Sequence, residues 1–205
     1  MKNFDGLKSG VDGELLQQIE HGKKAGKKVR LLDLGCGFGK LSRYLADLGF
    51  EVVACDFSDT AVEVLKSHSS NIEALVCDMT KGLPFENETF DVVVANLSLH
   101  YFCEKDTDLI VAEINRVLCD EGVLIGAVVE MREFKLVEGR FDFVELEPGF
   151  YMEDGKKHIR FFNKSDIIRF FGVDAGFEFE HLENAIVEHA GGGRSAWEFV
   201  VRKLK

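Results

Sequence analysis

Basic residues are scarce in this sequence, and no apolar stretch in it runs long. The 205 residues carry 25 Lys and Arg against 36 Asp and Glu, a formal net charge of −11. Proteins that bind nucleic acid present a basic face to displace counterions, so this balance speaks against DNA or RNA as a partner. The one small basic cluster, Lys23-Lys24 with Lys27-Lys28, borders a helix and reads as its solvated end. No apolar run is long enough to span a bilayer, and no signal-peptide pattern follows Met1-Lys2-Asn3-Phe4. No membrane partner is therefore expected, and the expected location is cytoplasmic. The five cysteines form no C-x-x-C pair, which removes a zinc knuckle; no metal is expected. Repeats and low-complexity segments are lacking too. The length suits a single domain over residues 1–205.

What is present is concentrated in Val29 to Gly39. An apolar strand carrying Asp33 near its end opens into Gly35, Gly37 and Gly39, and a helix-like segment, Lys40 to Leu48, follows at once. Glycines suit such a turn because the chain must bend sharply and its backbone must allow a ligand close approach. A dinucleotide fingerprint, G-x-G-x-x-G, would need a glycine where Lys40 stands. The pattern here is D-x-G-x-G-x-G, with Cys36 between the first two glycines. The next strand, Glu51 to Cys55, ends on Asp56, followed by Phe57. A strand-end acid at this distance accepts hydrogen bonds from ribose hydroxyls. It also serves as a helix N-terminal acid, because Ser58 or Asp59 opens a helix over Thr60 to Ser67. A third strand, Ile72 to Val76, leads into Cys77-Asp78-Met79. A fourth, beginning at Phe90, ends in Asn96-Leu97-Ser98-Leu99-His100.

This order of motifs resembles the class I S-adenosylmethionine (SAM)-dependent methyltransferases, over Val29 to Val129. The resemblance implies a doubly wound α/β fold, Rossmann-like, with a seven-stranded, mostly parallel sheet and a closing antiparallel strand. SAM is the implied cofactor. The implied contacts are Asp33, Gly35, Cys36, Gly37 and Gly39 around its amino-acid and ribose portions. Asp56 and Phe57 belong at the ribose, Asp78 and Met79 at the adenine, and Asn96, Leu97 and Ser98 beside them. Cys36, Cys55 and Cys77 fall at successive strand ends and read as small apolar residues beside the cofactor rather than as a redox or metal site. Members that methylate amino groups of nucleobases or glutamine carry Asn/Asp-Pro-Pro-Tyr/Phe after the fourth strand. Here Asn96 is followed by no proline, which disfavours that subclass.

Downstream, Asp106 to Leu118 has helical apolar spacing, and Gly122 to Val129 is a uniformly apolar fifth strand, expected to be central. Residues 130–162 break the rhythm and are expected to be an insertion carrying a hairpin turned at Asp154-Gly155. A helix over Ser165 to Phe171 and a strand pair, Phe177 to Val187 and Ala196 to Lys203, complete the chain. Residues 1–28 are expected to form a lid helix. Substrate is then expected between His100-Tyr101, the insertion and a glycine loop at His189 to Ser195.

Methyl transfer needs alignment and water exclusion before it needs a base. The base candidates are His100, favoured by its place after the fourth strand, and Glu130, His158 and His189. Tyr101 and Tyr151 are expected as pocket walls, and Arg160 and Arg194 as holders of an anionic substrate or as surface ion pairs. The expected function is methyl transfer from SAM to a small-molecule acceptor. An NAD(P)-dependent oxidoreductase and a SAM-binding protein without catalysis remain as alternatives.

Overall fold

The computed structural model describes residues 28–189 and 192–205. The expected lid helix lies outside the described residues. The first half alternates strand and helix: β1 (Arg30–Leu34), α1 (Lys40–Asp47), β2 (Glu51–Asp56), α2 (Asp59–His68), β3 (Glu73–Val76), β4 (Phe90–Asn96), α3 (Glu104–Val117) and β5 (Leu118–Val129). Short 3-10 turns at Met79–Lys81 and Leu99–Tyr101 follow β3 and β4. Then come α4 (Met131–Val137), β6 (Phe143–Glu147), β7 (Phe150–Glu153), β8 (Lys157–Arg160), α5 (Lys164–Phe171), β9 (Phe177–His189) and β10 (Gly192–Lys203).

Seven strands form one sheet in the order β3-β2-β1-β4-β5-β10-β9. The pairs from β3 to β5 are parallel, and β10 runs antiparallel to both β5 and β9. Chain order reverses between β1 and β4, which puts a crevice at their carboxyl ends, where ligands bind in open α/β sheets. Both faces are covered. Leu31, Val94 and Ile125 pack with Leu41, Leu45 and Leu65 on one face. Leu32, Val93 and Leu124 pack with Ile110, Ile114, Phe171 and Phe199 on the other. Double coverage explains why these strands read as continuous apolar runs rather than alternating ones. In the middle of β5, Gly126 leaves room for the Phe199 ring, an atom of which would lie 2.2 Å from an added Cβ.

The insertion after β5 is larger than one hairpin. It comprises α4 and a separate three-stranded antiparallel sheet, β6-β7-β8. The expected hairpin is β7 with β8, and β6 pairs antiparallel on the other edge of β7. The turn at Asp154-Gly155 joins β7 to β8, with both residues at positive φ (+50° and +64°) as a tight hairpin turn requires. The expected glycine loop at 189–195 is also revised. β10 already begins at Gly192, so Arg194 and Ser195 are strand residues. At α5, Asn163 and Asp166 form a reciprocal cap, each side chain accepting the other's backbone N–H at 3.0 and 2.9 Å.

Candidate functional site

The glycine run forms the turn from β1 into α1, and its three glycines do different work. All three have positive φ. A Cβ on Gly35 would fall 2.4 Å from the Cβ of Ser98, and one on Gly39 would fall 2.3 Å from Leu65. Packing therefore demands glycine at both. A Cβ on Gly37 meets nothing within 4 Å among the described residues. Gly37 thus leaves backbone bare toward open space at the rim, as a cradle for a ligand would.

The loop is tied to the neighbouring strand. The Gly35 and Cys36 N–H groups donate to the Cys55 carbonyl at 2.8 and 3.0 Å. The Gly37 N–H donates to Asp56 Oδ2 at 2.8 Å, and the Ser58 N–H donates to Asp56 Oδ1 at 2.9 Å. Asp56 therefore organises the loop and the entry to α2 at once. A carboxylate has about four lone-pair sites, so acceptor capacity remains on it at the rim. Phe57 beside it is 74% exposed, and Phe38 at the loop tip is 63% exposed.

Asp33 lies beneath the loop, buried, accepting a hydrogen bond from Ser42 Oγ at 2.5 Å. Burial pushes its carboxyl up to about 6, with the nearby Asp56 charge acting in the same direction against the Ser42 bond. Asp78 ends β3 and caps the following turn. Its Oδ1 accepts from the Thr80 N–H and Oγ1 at 3.1 and 2.6 Å, and Lys81 pairs with Oδ2 at 2.9 Å. The Thr80 and Lys81 hydrogen bonds hold its carboxyl below the usual range. Met79 is buried, with its Cε 3.7 Å from the Cβ position of Gly35. At the end of β4, Asn96 Oδ1 is buried without a hydrogen-bond partner among the described residues. Leu97 turns through φ +53°, its N–H bonded to the Ala127 carbonyl. Ser98 Oγ donates to the Leu34 carbonyl at 2.6 Å, so its hydroxyl is committed to holding the loop.

On the far side of the rim, Tyr101 closes the turn after β4 and is partly exposed. His100 is only 1% exposed and packs against the Tyr101 ring with centroids 4.2 Å apart. Lys157 Nζ lies 5.3 Å from the centre of the Tyr101 ring, and it pairs with Glu153 at 3.6 Å. Burial pushes the Tyr101 hydroxyl up; Arg194 opposes that shift, while Glu153 and Asp56 reinforce it. Tyr101 therefore stands within electrostatic reach of the Asp56 side and of the start of β10. Glu130, at the end of β5, is buried. Its Oε2 accepts from Ser195 Oγ at 2.8 Å, and Arg132 Nε lies 3.6 Å from its Oε1.

Residues 32–126 match the family model described as a methyltransferase domain. The matched span holds the glycine turn after β1, Asp56, Asp78 and Asn96. A ubiquinone biosynthesis O-methyltransferase from Mesorhizobium japonicum is 34% identical over 104 residues, covering 49% of this chain and 41% of that protein. A tRNA N(3)-cytidine methyltransferase of Danio rerio is 26% identical over 204 residues, covering 90% of this chain and 54% of that one. The chain thus spans about half the length of the curated relatives it matches. A solved SAM-dependent methyltransferase from Methanosarcina mazei superposes with a TM-score of 0.74 at 19% identity, over 91% of this chain and 97% of its own.

Within the span that matches the methyltransferase-domain model, the expected cofactor contacts, from Asp33 to Ser98, gather at the carboxyl ends of β1 to β4. The expected acceptor residues are more scattered. Arg160 is buried and occupied: its guanidinium pairs with Glu147 and donates to the carbonyls of Phe102 and Pro148 at 3.2 and 3.3 Å. It also lies over the Phe150, Phe162 and Phe170 rings. That environment makes it a pin between the insertion and the body. Tyr151 stacks on Phe134 with centroids 4.6 Å apart and belongs to a ring cluster with Phe143 and Phe161. His158 is exposed and stacks on Phe150. His189 ends β9, and its side chain lies outside the described residues. Sequence reasoning placed Ser195 only as the end of a glycine loop and missed Lys157 and Glu153. Their roles depend on pairing across strands, for which the sequence carries no local signal.

Proposed function

We propose that this chain binds SAM along the carboxyl ends of β1 to β4 and transfers its methyl group to a small-molecule acceptor held toward Tyr101. The observation that carries this reading is the Gly37 turn, bare toward open space and bonded to the Asp56 carboxylate. The backbone of Gly35 to Gly39 would receive the amino-acid portion, and Asp56 the ribose hydroxyls. Asp78 and Met79 would meet the adenine, with the unpartnered Asn96 Oδ1 offering a further acceptor. When bound, SAM supplies an electrophilic methyl group on a sulfonium whose sulfur leaves neutral.

The remaining work falls to the chain's own residues. Tyr101 forms a wall that aligns the acceptor and excludes water. His100, packed beneath Tyr101, sets the orientation of that ring. A base is required only where the acceptor atom carries a proton that must leave. Glu130 would be the carboxylate nearest that task, oriented by Ser195.

The net charge of −11 supports a small acceptor over a polyanion. The acids of the insertion, among them Glu145, Glu147, Glu153 and Asp154, add to that argument on the acceptor side. Calorimetric titration with SAM, S-adenosylhomocysteine and NADH tests the cofactor assignment. Saturable binding of both adenosyl compounds and none of NADH is expected; binding of NADH alone would overturn the reading in favour of an oxidoreductase.

A further inference from the structure

Two arginines face the acceptor half of this molecule in sequence, and the structure separates them. Arg160 is saturated by Glu147, two carbonyls and three rings. Arg194 is different. Among the described residues no carboxylate lies within salt-bridge distance of it, although acids outnumber bases by 36 to 25 in the sequence. Its position is fixed by pairing. The Glu130 N–H donates to the carbonyl of the next residue, Ser195, at 3.0 Å, so Arg194 stands beside the carboxyl end of β5. Ala196 pairs with Val129 and packs in the same core face as Ile159 and Phe161 of the insertion. Strand alternation puts Arg194, two residues earlier, on that same face, toward the insertion.

The neighbouring cation is already compensated. Lys157 lies over Tyr101 but pairs with Glu153. Arg132 pairs with Glu130. A half-buried guanidinium with no carboxylate in salt-bridge distance among the described residues is the group an anion would find. Its fork geometry suits a carboxylate or a phosphate taken with two hydrogen bonds. The influence of Arg194 on the Tyr101 hydroxyl agrees with this location.

We propose that the methyl acceptor is a small molecule bearing an anionic group, a carboxylate or a phosphate, which Arg194 holds beside Tyr101. The proposal rests on the methyltransferase reading above and narrows its substrate class. Glu130 and Glu133 are engaged by the Ser195 hydroxyl and N–H, and the Arg194 cation beside them suits a single anionic group. A nucleic acid would need many cations along its backbone.

The test uses the full chain with methyl-tritiated SAM and a cell extract divided into four fractions: RNA, small anions, small neutral molecules and small cations. Label is expected in the small-anion fraction. Phosphatase treatment of that fraction before the assay separates phosphate from carboxylate acceptors. For the labelled acceptor, Arg194→Ala should raise KM by about tenfold or more, with the KM for SAM and kcat within about threefold. Arg194→Lys should restore part of the loss. Label in the RNA, neutral or cationic fraction overturns the anionic acceptor and leaves methyl transfer standing. So does an unchanged KM in Arg194→Ala. No label in any fraction, with SAM bound in calorimetry, overturns both readings.

Discussion

Gly35 and Gly37 are two residues apart, share a left-handed backbone, and should respond differently to the same substitution. Alanine at Gly35 must displace Ser98, whose Cβ would lie 2.4 Å away. Left-handed strain and overpacking together predict a loss of about 2–4 kcal/mol in chemical denaturation. Alanine at Gly37 meets no atom of the described residues within 4 Å, so only strain of about 1–2 kcal/mol is expected. Its methyl group projects where the cofactor is proposed to lie, so S-adenosylhomocysteine affinity should fall about tenfold or more. Equal effects of the two substitutions on stability would contradict the division of labour described. Asp33 gives a pH signature. Its carboxyl sits at about 6 in the folded chain against 3.8 ordinarily, so the folded state holds the proton more tightly. Stability from this group is present at low pH and is lost as pH rises from about 4 through 6, a cost of about 3 kcal/mol by pH 7. Asp33→Asn removes that cost. The melting temperature of the variant relative to the parent should therefore climb between about pH 4.5 and 7, and a flat difference would contradict the shifted carboxyl.

At the scale of elements, what was legible in the sequence was local. Each of the first three strands carries its acid at or beside its end, and each helix start follows within a few residues, so Asp33, Asp56 and Asp78 could be placed without knowing any pairing. The uniform apolar run of β5 likewise announced a strand covered on both faces. Residues 130–162 could not be resolved that way. Their alternating stretches are each too short to specify a partner, and the sheet they form depends on pairing β6 with β7 and β7 with β8. The role of Arg160 was hidden for the same reason: Glu147 is 13 residues away and on another strand. Arg160→Met should therefore loosen the insertion. It leaves two carbonyls without their donor and Glu147 with only the Glu104 N–H, for a cost of about 3 kcal/mol, at the low end for a buried pair because Glu147 is partly exposed. Limited proteolysis should cut first within 138–156, while S-adenosylhomocysteine affinity stays within about threefold. Loss of cofactor affinity with an intact insertion would contradict the assignment of Arg160 as a pin.

For the whole molecule, one sheet divides the labour by position. Its parallel half ends in acids and bare backbone at the switch in chain order. Its antiparallel closing pair brings Arg194 and Ser195 to the same rim from the far end of the sequence. The proposed acceptor side was less legible than the proposed cofactor side because its residues come from the turn after β4 and from β5, β8 and β10, up to 94 positions apart, from Tyr101 to Ser195. Asp56 both locks the glycine turn and faces the proposed ribose. Calorimetric titration of S-adenosylhomocysteine into the parent chain and Asp56→Ala, with melting temperatures recorded for both, tests it directly. Saturable binding by the parent and a loss of about 1–3 kcal/mol in the variant, which still melts cooperatively, is the predicted result. Equal affinity in the two proteins would contradict it.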